Sequence, residues 1–227
     1  MRTNLICPEC AKATGGIGSF FIETIREDGL YTGKCPRRHD LLIATQTLRH
    51  EMLFEIALNA IIDRYHREAV SSFAASVERF FEFAVRVMSL NRKVSPEVFD
   101  AAWKTVSKQS ERQLGGYVFL YVISFGEVPS LLSSSMTKLR NDVIHNGVLP
   151  EQLDVLKFGR SAHEVIQAGM QKLRAGCLDD VNKILGQHVA KIAEKMGSRY
   201  PRSFQVTPTA LNVIEDISAG FKPLINC

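Results

Sequence analysis

Apolar residues recur at helical spacing through most of the chain, beginning at Asp40. The first set predicts one helix and stops at the polar cluster of residues 63–67; its members are Leu41, Leu42, Leu48, Met52, Leu53, Ile56, Ala57, Ala60 and Ile61. A second, continuous stripe predicts a longer helix whose opposite face is polar; it consists of Val70, Phe73, Ala74, Val77, Phe80, Phe81, Ala84, Val87 and Met88. These patterns indicate a mainly α-helical protein.

Start and stop signals predict three more helices. Ser95 followed by Pro96 is typical of a capped first turn. Residues 110–125 form an apolar segment long enough for a helix, although its β-branched and aromatic residues also favour a strand. The next helix carries residues 136–144 and ends at Asn146-Gly147, because glycine closes helices in the left-handed conformation.

A last helical pattern runs almost unbroken from residue 153 to residue 196. Gly176 predicts a kink within it, and Gly197 and Pro201 predict its end. Residues 201–227 are predicted to be an irregular tail, with a short helix opening at Thr207-Pro208. We therefore predict a helical bundle over residues 41–200.

Residues 1–40 form a separate unit with two pairs of metal-ligand residues. Cys7 and Cys10 form a CxxC knuckle, and Cys35 and His39 lie four apart. Between the pairs, the alternating run 20–25 ends at a Glu-Asp-Gly turn, a pattern typical of a β-hairpin.

Four ligands of this kind predict a zinc ribbon. A segment of 40 residues buries too little apolar surface to fold alone, and tetrahedral coordination would supply the missing stability. We expect a structural zinc ion, because no ligand position is left for water, and no catalytic metal. The alternative is a set of free cysteines near an exposed histidine. With five cysteines, three of them before residue 36, metal binding in a reducing cytoplasm is favoured over disulfides.

The overall composition is that of a globular protein with a mild positive charge. A net charge of +4 permits an RNA partner without requiring one, since nucleic-acid binding needs a basic patch. The first residues carry no apolar core of signal-peptide length, and the longest apolar run, 117–125, is too short to span a bilayer. We expect a cytoplasmic protein that does not insert into membranes.

Arg140 and His145 are the candidate catalytic pair. A guanidinium fixes and neutralises a phosphate, and an imidazole moves a proton near neutral pH. Five residues apart on a helix, the two are separated by roughly 140° around the axis, so they converge only if His145 lies at or beyond the helix end. The alternative is a surface arginine and a histidine that caps the helix through its dipole.

The stretch from Arg140 to His145 resembles the Arg-x4-6-His motif of the HEPN superfamily, including a polar residue, Asn141, after the arginine. Residues 65–80 resemble the first helical hairpin of HEPN proteins that carry an N-terminal zinc ribbon, and the resemblance extends over about residues 40–197. It implies a small helical bundle with metal-independent endoribonuclease activity, of the kind found in toxins and anti-phage effectors.

HEPN nucleases pair two copies of the motif across a twofold axis, so the resemblance also implies a homodimer with a composite site. His145 would be the base or acid, Arg140 the clamp on the transition state, and Asn141 a supporting donor. Glu78 could hold Arg140 in place or be an exposed acid. His66 and Tyr65 could reach the groove or cap a helix.

Two other functions compete with the nuclease. The same bundle could be a non-catalytic module that dimerises and binds RNA, a nucleotide or a protein, with the zinc ribbon as an adaptor. A zinc-dependent DNA-binding regulator fits less well, because no helix is strongly basic and no helix-turn-helix spacing is present. The expected partners are RNA, a second copy of the chain and, for a toxin, an antitoxin or other regulatory protein.

Overall fold

The computed structural model describes residues 2–15, 19–196, 203–205 and 209–211. Over these residues the protein is mainly helical, with seven helices and two small sheets. The chain divides into two compact units: Met1–Leu48 with Leu185–Thr209, and Arg49–Ile184 with Ala210–Cys227. None of the described helices combines the length and the apolar character needed to cross a bilayer.

The first unit contains both sheets. Strand β1 (Arg2–Ile6) pairs antiparallel with β2 (Phe20–Thr24), and the short helix α1 (Pro8–Thr14) connects them. Strand β4 (Asp40–Thr45) pairs antiparallel with β3 (Leu30–Lys34) and parallel with β5 (Ser203–Gln205). The alternating run from residue 20 is therefore a strand, but the hairpin predicted across the turn at residues 27–29 is wrong, because β2 pairs with β1 and the strand after the turn, β3, pairs with β4. Gly29, in the predicted turn, has the left-handed φ of 63°.

The helical pattern predicted from Asp40 is wrong for its first residues, which form strand β4. This strand is buried on both faces. Leu41 and Ile43 join the cluster around the cysteines, whereas Leu42 and Ala44 pack with Ile192. The compact unit accordingly extends to Leu48, beyond the boundary expected at residue 40.

The second unit is built around helix α3, which spans His66–Asn91. In chain order its helices are α2 (Arg49–Ile62), α3 (His66–Asn91), α4 (Pro96–Val106), α5 (Ser110–Phe125), α6 (Ser134–His145) and α7 (Gln152–Met196), whose last turns belong to the first unit. Helix α3 packs against α2, α4, α5 and α6. Its predicted apolar stripe is buried, as is Trp103 on α4. Helices α5 and α6 therefore both pack against α3.

Several predicted helix boundaries are confirmed. The Ser95 hydroxyl accepts a hydrogen bond from the Val98 N–H at 3.4 Å, and α5 spans residues 110–125 as predicted. Helix α7 is kinked at Cys177, which has φ −141° and ψ 34°, one residue after the predicted Gly176. In the predicted tail, residues 203–205 form β5, which is a correction. The terminators Gly197 and Pro201 and the predicted helix at Thr207 lie outside the described residues.

Gly169→Ala is expected to destabilise the bundle by about 1–3 kcal/mol. An added Cβ would lie 2.5 Å from Cζ of the buried Phe80 ring and 3.1 Å from the Tyr117 hydroxyl, so a packed aromatic must move. Gly186→Ala on the same helix is the control, because nothing lies within 4 Å of its Cβ; we expect it to be neutral or stabilising. Urea unfolding followed by circular dichroism measures both, and equal effects would contradict this packing.

Candidate functional site

Local turns of the first unit bring the four predicted metal ligands together. Cys7 follows β1 and caps α1, and its sulfur accepts a hydrogen bond from the Cys10 N–H at 3.4 Å. Cys35 and His39 bracket the turn between β3 and β4, where Arg38 takes the left-handed φ of 66°. The three sulfurs are buried, whereas His39 is partly exposed. One backbone turn holds Cys7 and Cys10 and another holds Cys35 and His39, and together they bring the four ligands into one cluster.

The geometry of this cluster fits tetrahedral coordination. All four ligand atoms lie within 4.8 Å of one another. His39 Nδ1 is 3.4 to 3.6 Å from the three sulfurs, and the Cys10 and Cys35 sulfurs are 3.8 Å apart. Tetrahedral bonds of about 2.3 Å to sulfur and 2.0 Å to nitrogen require separations of roughly 3.5 Å for N···S and 3.8 Å for S···S. The residues fit a structural metal ion such as zinc.

Without a cation, the Cys7 and Cys10 thiols of this cluster have pKa values shifted in opposite directions. Burial raises the pKa of Cys7 to about 11. Burial also raises the pKa of Cys10, but hydrogen bonds with Ser19, Cys7 and His39 outweigh it and bring the pKa to about 6. Cation binding needs thiolates, so it would displace the remaining thiol protons and couple to pH.

Arg140, on α6, is held by hydrogen bonds that it donates to side chains on α3 and α5. Its guanidinium donates to the Glu78 carboxylate at 2.7 Å, the Ser110 hydroxyl at 3.4 Å and the Asn141 side-chain oxygen at 2.9 Å. The Arg140 and Glu78 side chains are 18% and 28% exposed, so the ion pair is only partly screened by water. The predicted contact between Glu78 and Arg140 is present. Among the described residues, three of the five guanidinium N–H donors are used, which leaves two for a ligand.

Arg140 and its partners line an open groove formed by α3, α5, α6 and the loop before α6. The polar lining comprises Glu78, Ser110, Glu111, Thr137, Arg140 and Asn141. The rest is apolar and consists of Ala74, Val77, Phe81, Leu114, Leu131 and Leu132. An anionic group next to a flat apolar body would match this combination.

His145 does not line this groove. It is the last residue of α6 and is exposed, with Asn146 as the capping residue and Gly147 at φ 69°. The predicted stop at Asn146-Gly147 is confirmed. Because Arg140 and His145 both lie within the helix, they point roughly 140° apart, and a single chain does not bring them to the same groove.

Glu111 lines the groove and has a lowered pKa. Its pKa is lowered first by its own backbone N–H at the start of α5, then by Ser110, and also by the positive charges of Arg140 and His145. Ser110 and Glu111 did not figure in the sequence-based site. An acid in the first turn of a helix is the only local signal they give, and that signal indicates capping rather than a site.

The remaining histidines have structural surroundings. His66 Nδ1 lies 3.2 Å from the Pro150 carbonyl oxygen, and Tyr65 is the N-cap residue of α3 without a side-chain capping bond. His163 and His188 have lowered pKa values because burial disfavours their charged forms. His50 is buried against Phe80 and Phe83. None of these residues lines the groove.

The unfolding free energy is expected to fall by about 2 kcal/mol between pH 7 and pH 5 through His50 alone. Burial lowers the pKa of His50 from 6.5 to about 3. The unfolded chain therefore takes up a proton below pH 6.5 while the folded chain does not, so stability is lost as the pH falls. Urea titrations at several pH values measure this effect, and the variant His50→Leu should lose that part of the pH dependence. An unchanged pH profile in that variant would contradict it.

Comparison of the chain with protein-family models, curated proteins and solved structures finds no match. The resemblance to HEPN proteins therefore depends on the motif and its helical setting. What the structure defines by itself is a mainly helical chain with a Cys3His metal-binding geometry near its N-terminus. Its helical unit carries a groove whose lining includes Arg140.

Proposed function

We propose that this protein is a metal-independent endoribonuclease of HEPN type that acts as a dimer. The observation that carries the proposal is the setting of Arg140, which bonds to Glu78, Ser110 and Asn141 at the groove and has two N–H donors without a partner among the described residues. His145 supports it as an exposed imidazole at the end of the same helix. The pair supplies a phosphate clamp and a proton carrier.

The proposed reaction is transesterification of RNA. The 2′-oxygen attacks the adjacent phosphorus and gives up its proton to a base, while the 5′-oxygen leaves and takes a proton from an acid. The products are a 2′,3′-cyclic phosphate and a 5′-hydroxyl, and no metal or water takes part. Arg140 would neutralise the charge on the pentacoordinate phosphate, and Asn141 would add a donor.

The dimer supplies the second proton carrier. One histidine cannot act as base and acid at the same instant, and His145 does not face the groove of its own chain. A twofold contact would place two copies of Arg140 and His145 around one phosphate. Exposed apolar residues follow His145 closely in the chain, with Val148 43%, Leu149 80% and Leu153 59% exposed. They are the surface we propose for this contact.

The Cys3His cluster is proposed to hold a structural zinc ion through Cys7, Cys10, Cys35 and His39. All four ligands come from the protein, so no position is left for a substrate or a water molecule. Zinc would stabilise the small sheets of the first unit and take no part in the cleavage.

A non-catalytic adaptor is the second candidate, and the composition of the groove favours it. Half of the lining is apolar, Glu78 already neutralises Arg140, and His145 lies outside. Such a groove could bind a nucleotide or an apolar side chain of a partner protein without chemistry. The adaptor predicts binding of RNA or protein with no cleavage.

A defence or toxin role follows from the nuclease proposal by resemblance. Cleavage of cellular or phage RNA would stop growth, and an antitoxin or other regulatory protein would restrain it. Expression of the wild-type chain would then be toxic, and Arg140→Ala would relieve the toxicity. Equal toxicity of both proteins would contradict this role.

The chemistry is tested with purified protein and a structured RNA in EDTA. The proposal predicts cleavage whose products end in 2′,3′-cyclic phosphate, with the metal content of the protein measured after the reaction. Cleavage that requires added Mg²⁺, or that leaves 3′-hydroxyl ends, would contradict it. RNA binding without cleavage would support the adaptor.

A further inference from the structure

The turn between β3 and β4 carries two adjacent arginines, Arg37 and Arg38. The Arg38 N–H donates to the Cys35 carbonyl oxygen at 2.7 Å, and the Cys35 N–H donates to the His39 carbonyl oxygen at 3.2 Å. These two bonds close a tight turn, and we call residues 35–39 the hairpin tip. Both arginines are exposed, whereas the Cys35 thiol is buried. The hairpin tip therefore presents two guanidinium groups to solvent.

Arg38 occupies a backbone position that ordinarily selects glycine. Its φ of 66° is left-handed, and hairpin loops usually place glycine at such a position because a Cβ atom is strained there. Arg64 (φ 63°) and Lys93 (φ 64°) share this conformation, but each lies two residues past the end of a helix, whose C-terminus attracts a cation. Arg38 follows strand β3 instead, so no helix dipole accounts for its charge.

Among the described residues, no carboxylate pairs with either arginine of the hairpin tip. The other three basic residues between positions 3 and 40 each form an ion pair: Lys12 with Glu9, Arg26 with Asp28, and Lys34 with Asp40. The Arg37 and Arg38 guanidinium groups have neither an ion pair nor a hydrogen bond to the described part of the chain. All of their N–H donors are therefore available to an external anion.

We propose that the hairpin tip binds the phosphate backbone of RNA through Arg37 and Arg38. A guanidinium bonds two phosphate oxygens at once, which a lysine ammonium does not. Contacts of this kind position RNA without selecting its bases. The choice of RNA rests on the proposed nuclease function, and the hairpin tip adds a contact outside the groove.

The proposed metal site would support this contact. Cys35 and His39, at the two ends of the hairpin tip, are both members of the Cys3His cluster. An ion held by these two residues would fix the turn that carries the arginines. A turn fixed before binding loses less conformational freedom when the RNA arrives.

Arg38→Gly separates the RNA contact from a structural role of Arg38. If the positive charge served the fold by balancing the cysteine thiolates, this variant would lose metal or stability. The RNA contact predicts the opposite, because glycine relieves the left-handed strain. The variant should keep its metal and be at least as stable as wild type, yet bind RNA more weakly. Elemental analysis and urea unfolding measure the first two properties.

RNA binding is measured by fluorescence anisotropy with a labelled oligouridylate and the full-length His145→Ala chain, which should leave the RNA intact. For single strands, log affinity falls against log salt with a slope of about −0.7 per phosphate contact. Arg37→Ala and Arg38→Gly should each make this slope shallower by about 0.7, and the double variant by about 1.4. Lys12→Ala is the charge control and should keep the slope, because Lys12 is 67% exposed and pairs with Glu9.

The outcomes distinguish this contact from the nuclease. RNA binding that depends on the two arginines, without cleavage by the wild-type chain, would keep the contact and remove the nuclease. Cleavage whose kcat/KM is unchanged by both arginine substitutions would keep the nuclease and overturn the contact. Salt slopes equal to that of Lys12→Ala, or metal loss in Arg38→Gly, would also overturn it. So would arginine-dependent binding to phosphatidylserine vesicles with RNA binding unchanged, which would indicate a membrane surface.

Discussion

Cys35→Ser is expected to remove the bound metal and unfold the first unit. Structural zinc sites contribute on the order of 10 kcal/mol of apparent binding free energy, more than small sheets of three to six residues per strand can replace. Cys35 is 3% exposed and lies in the cluster with Leu5, Tyr31 and Ile43, so loss of the metal would leave this core without its centre. Elemental analysis should fall from about one zinc per chain to almost none.

Hydrogen exchange of the backbone amides shows which elements unfold in Cys35→Ser. Protection should be lost in β1 to β4 and be retained in α3, which has its own buried core. Cys177→Ser is the matched control, because Cys177 is a buried thiol on α7 and is no part of the cluster. A wild-type protein that is fully folded without metal would contradict the metal site.

Arg140→Ala is expected to lower RNA cleavage by roughly 10³-fold, the scale typical of a guanidinium that stabilises a phosphoryl transition state. Arg140→Lys should recover little, since lysine keeps the charge but lacks the planar fork that bonds Glu78 and phosphate together. Single-turnover cleavage rates measure both variants.

Lys138→Ala, on the same helix, is the control for net charge. The Lys138 side chain is 77% exposed and pairs with Asp142. Its loss should leave the cleavage rate within a few-fold of wild type. Urea unfolding should show Arg140→Ala folded, because Glu78 is 28% exposed and can be solvated by water once its partner is lost. Equal rates for Arg140→Ala and Lys138→Ala would show that Arg140 does not touch the substrate.

The helices that the sequence predicted well are those with local signals at their ends. Ser95 caps α4, Gly126 ends α5 in the left-handed conformation, and Gly147 follows the cap of α6. Strand β4 was missed because Leu41 to Ala44 is an unbroken apolar run, and such a run does not distinguish a doubly buried strand from a helix. Strand β5 has three residues, and its pairing with β4 joins residues more than 150 positions apart.

The two candidate sites also differ in how much of each could be predicted from local sequence signals. The Cys3His cluster is encoded by two short spacings within two turns, so its four ligands were predicted together. The groove joins residues of three helices and of the loop before α6, and only Arg140, Asn141 and Glu78 were expected there. The exposed position of His145 outside the groove depends on where α6 ends and on how it packs against α3. Neither is visible in a motif of six residues.

The rate of RNA cleavage by His145→Ala, measured beside the wild type in EDTA, tests the central claim most directly. His145 is exposed at the end of α6, so the variant should fold normally. The account predicts a loss of at least about 10²-fold, as expected for removal of a general acid or base. Cleavage at the wild-type rate, with the same cyclic phosphate ends, would contradict it.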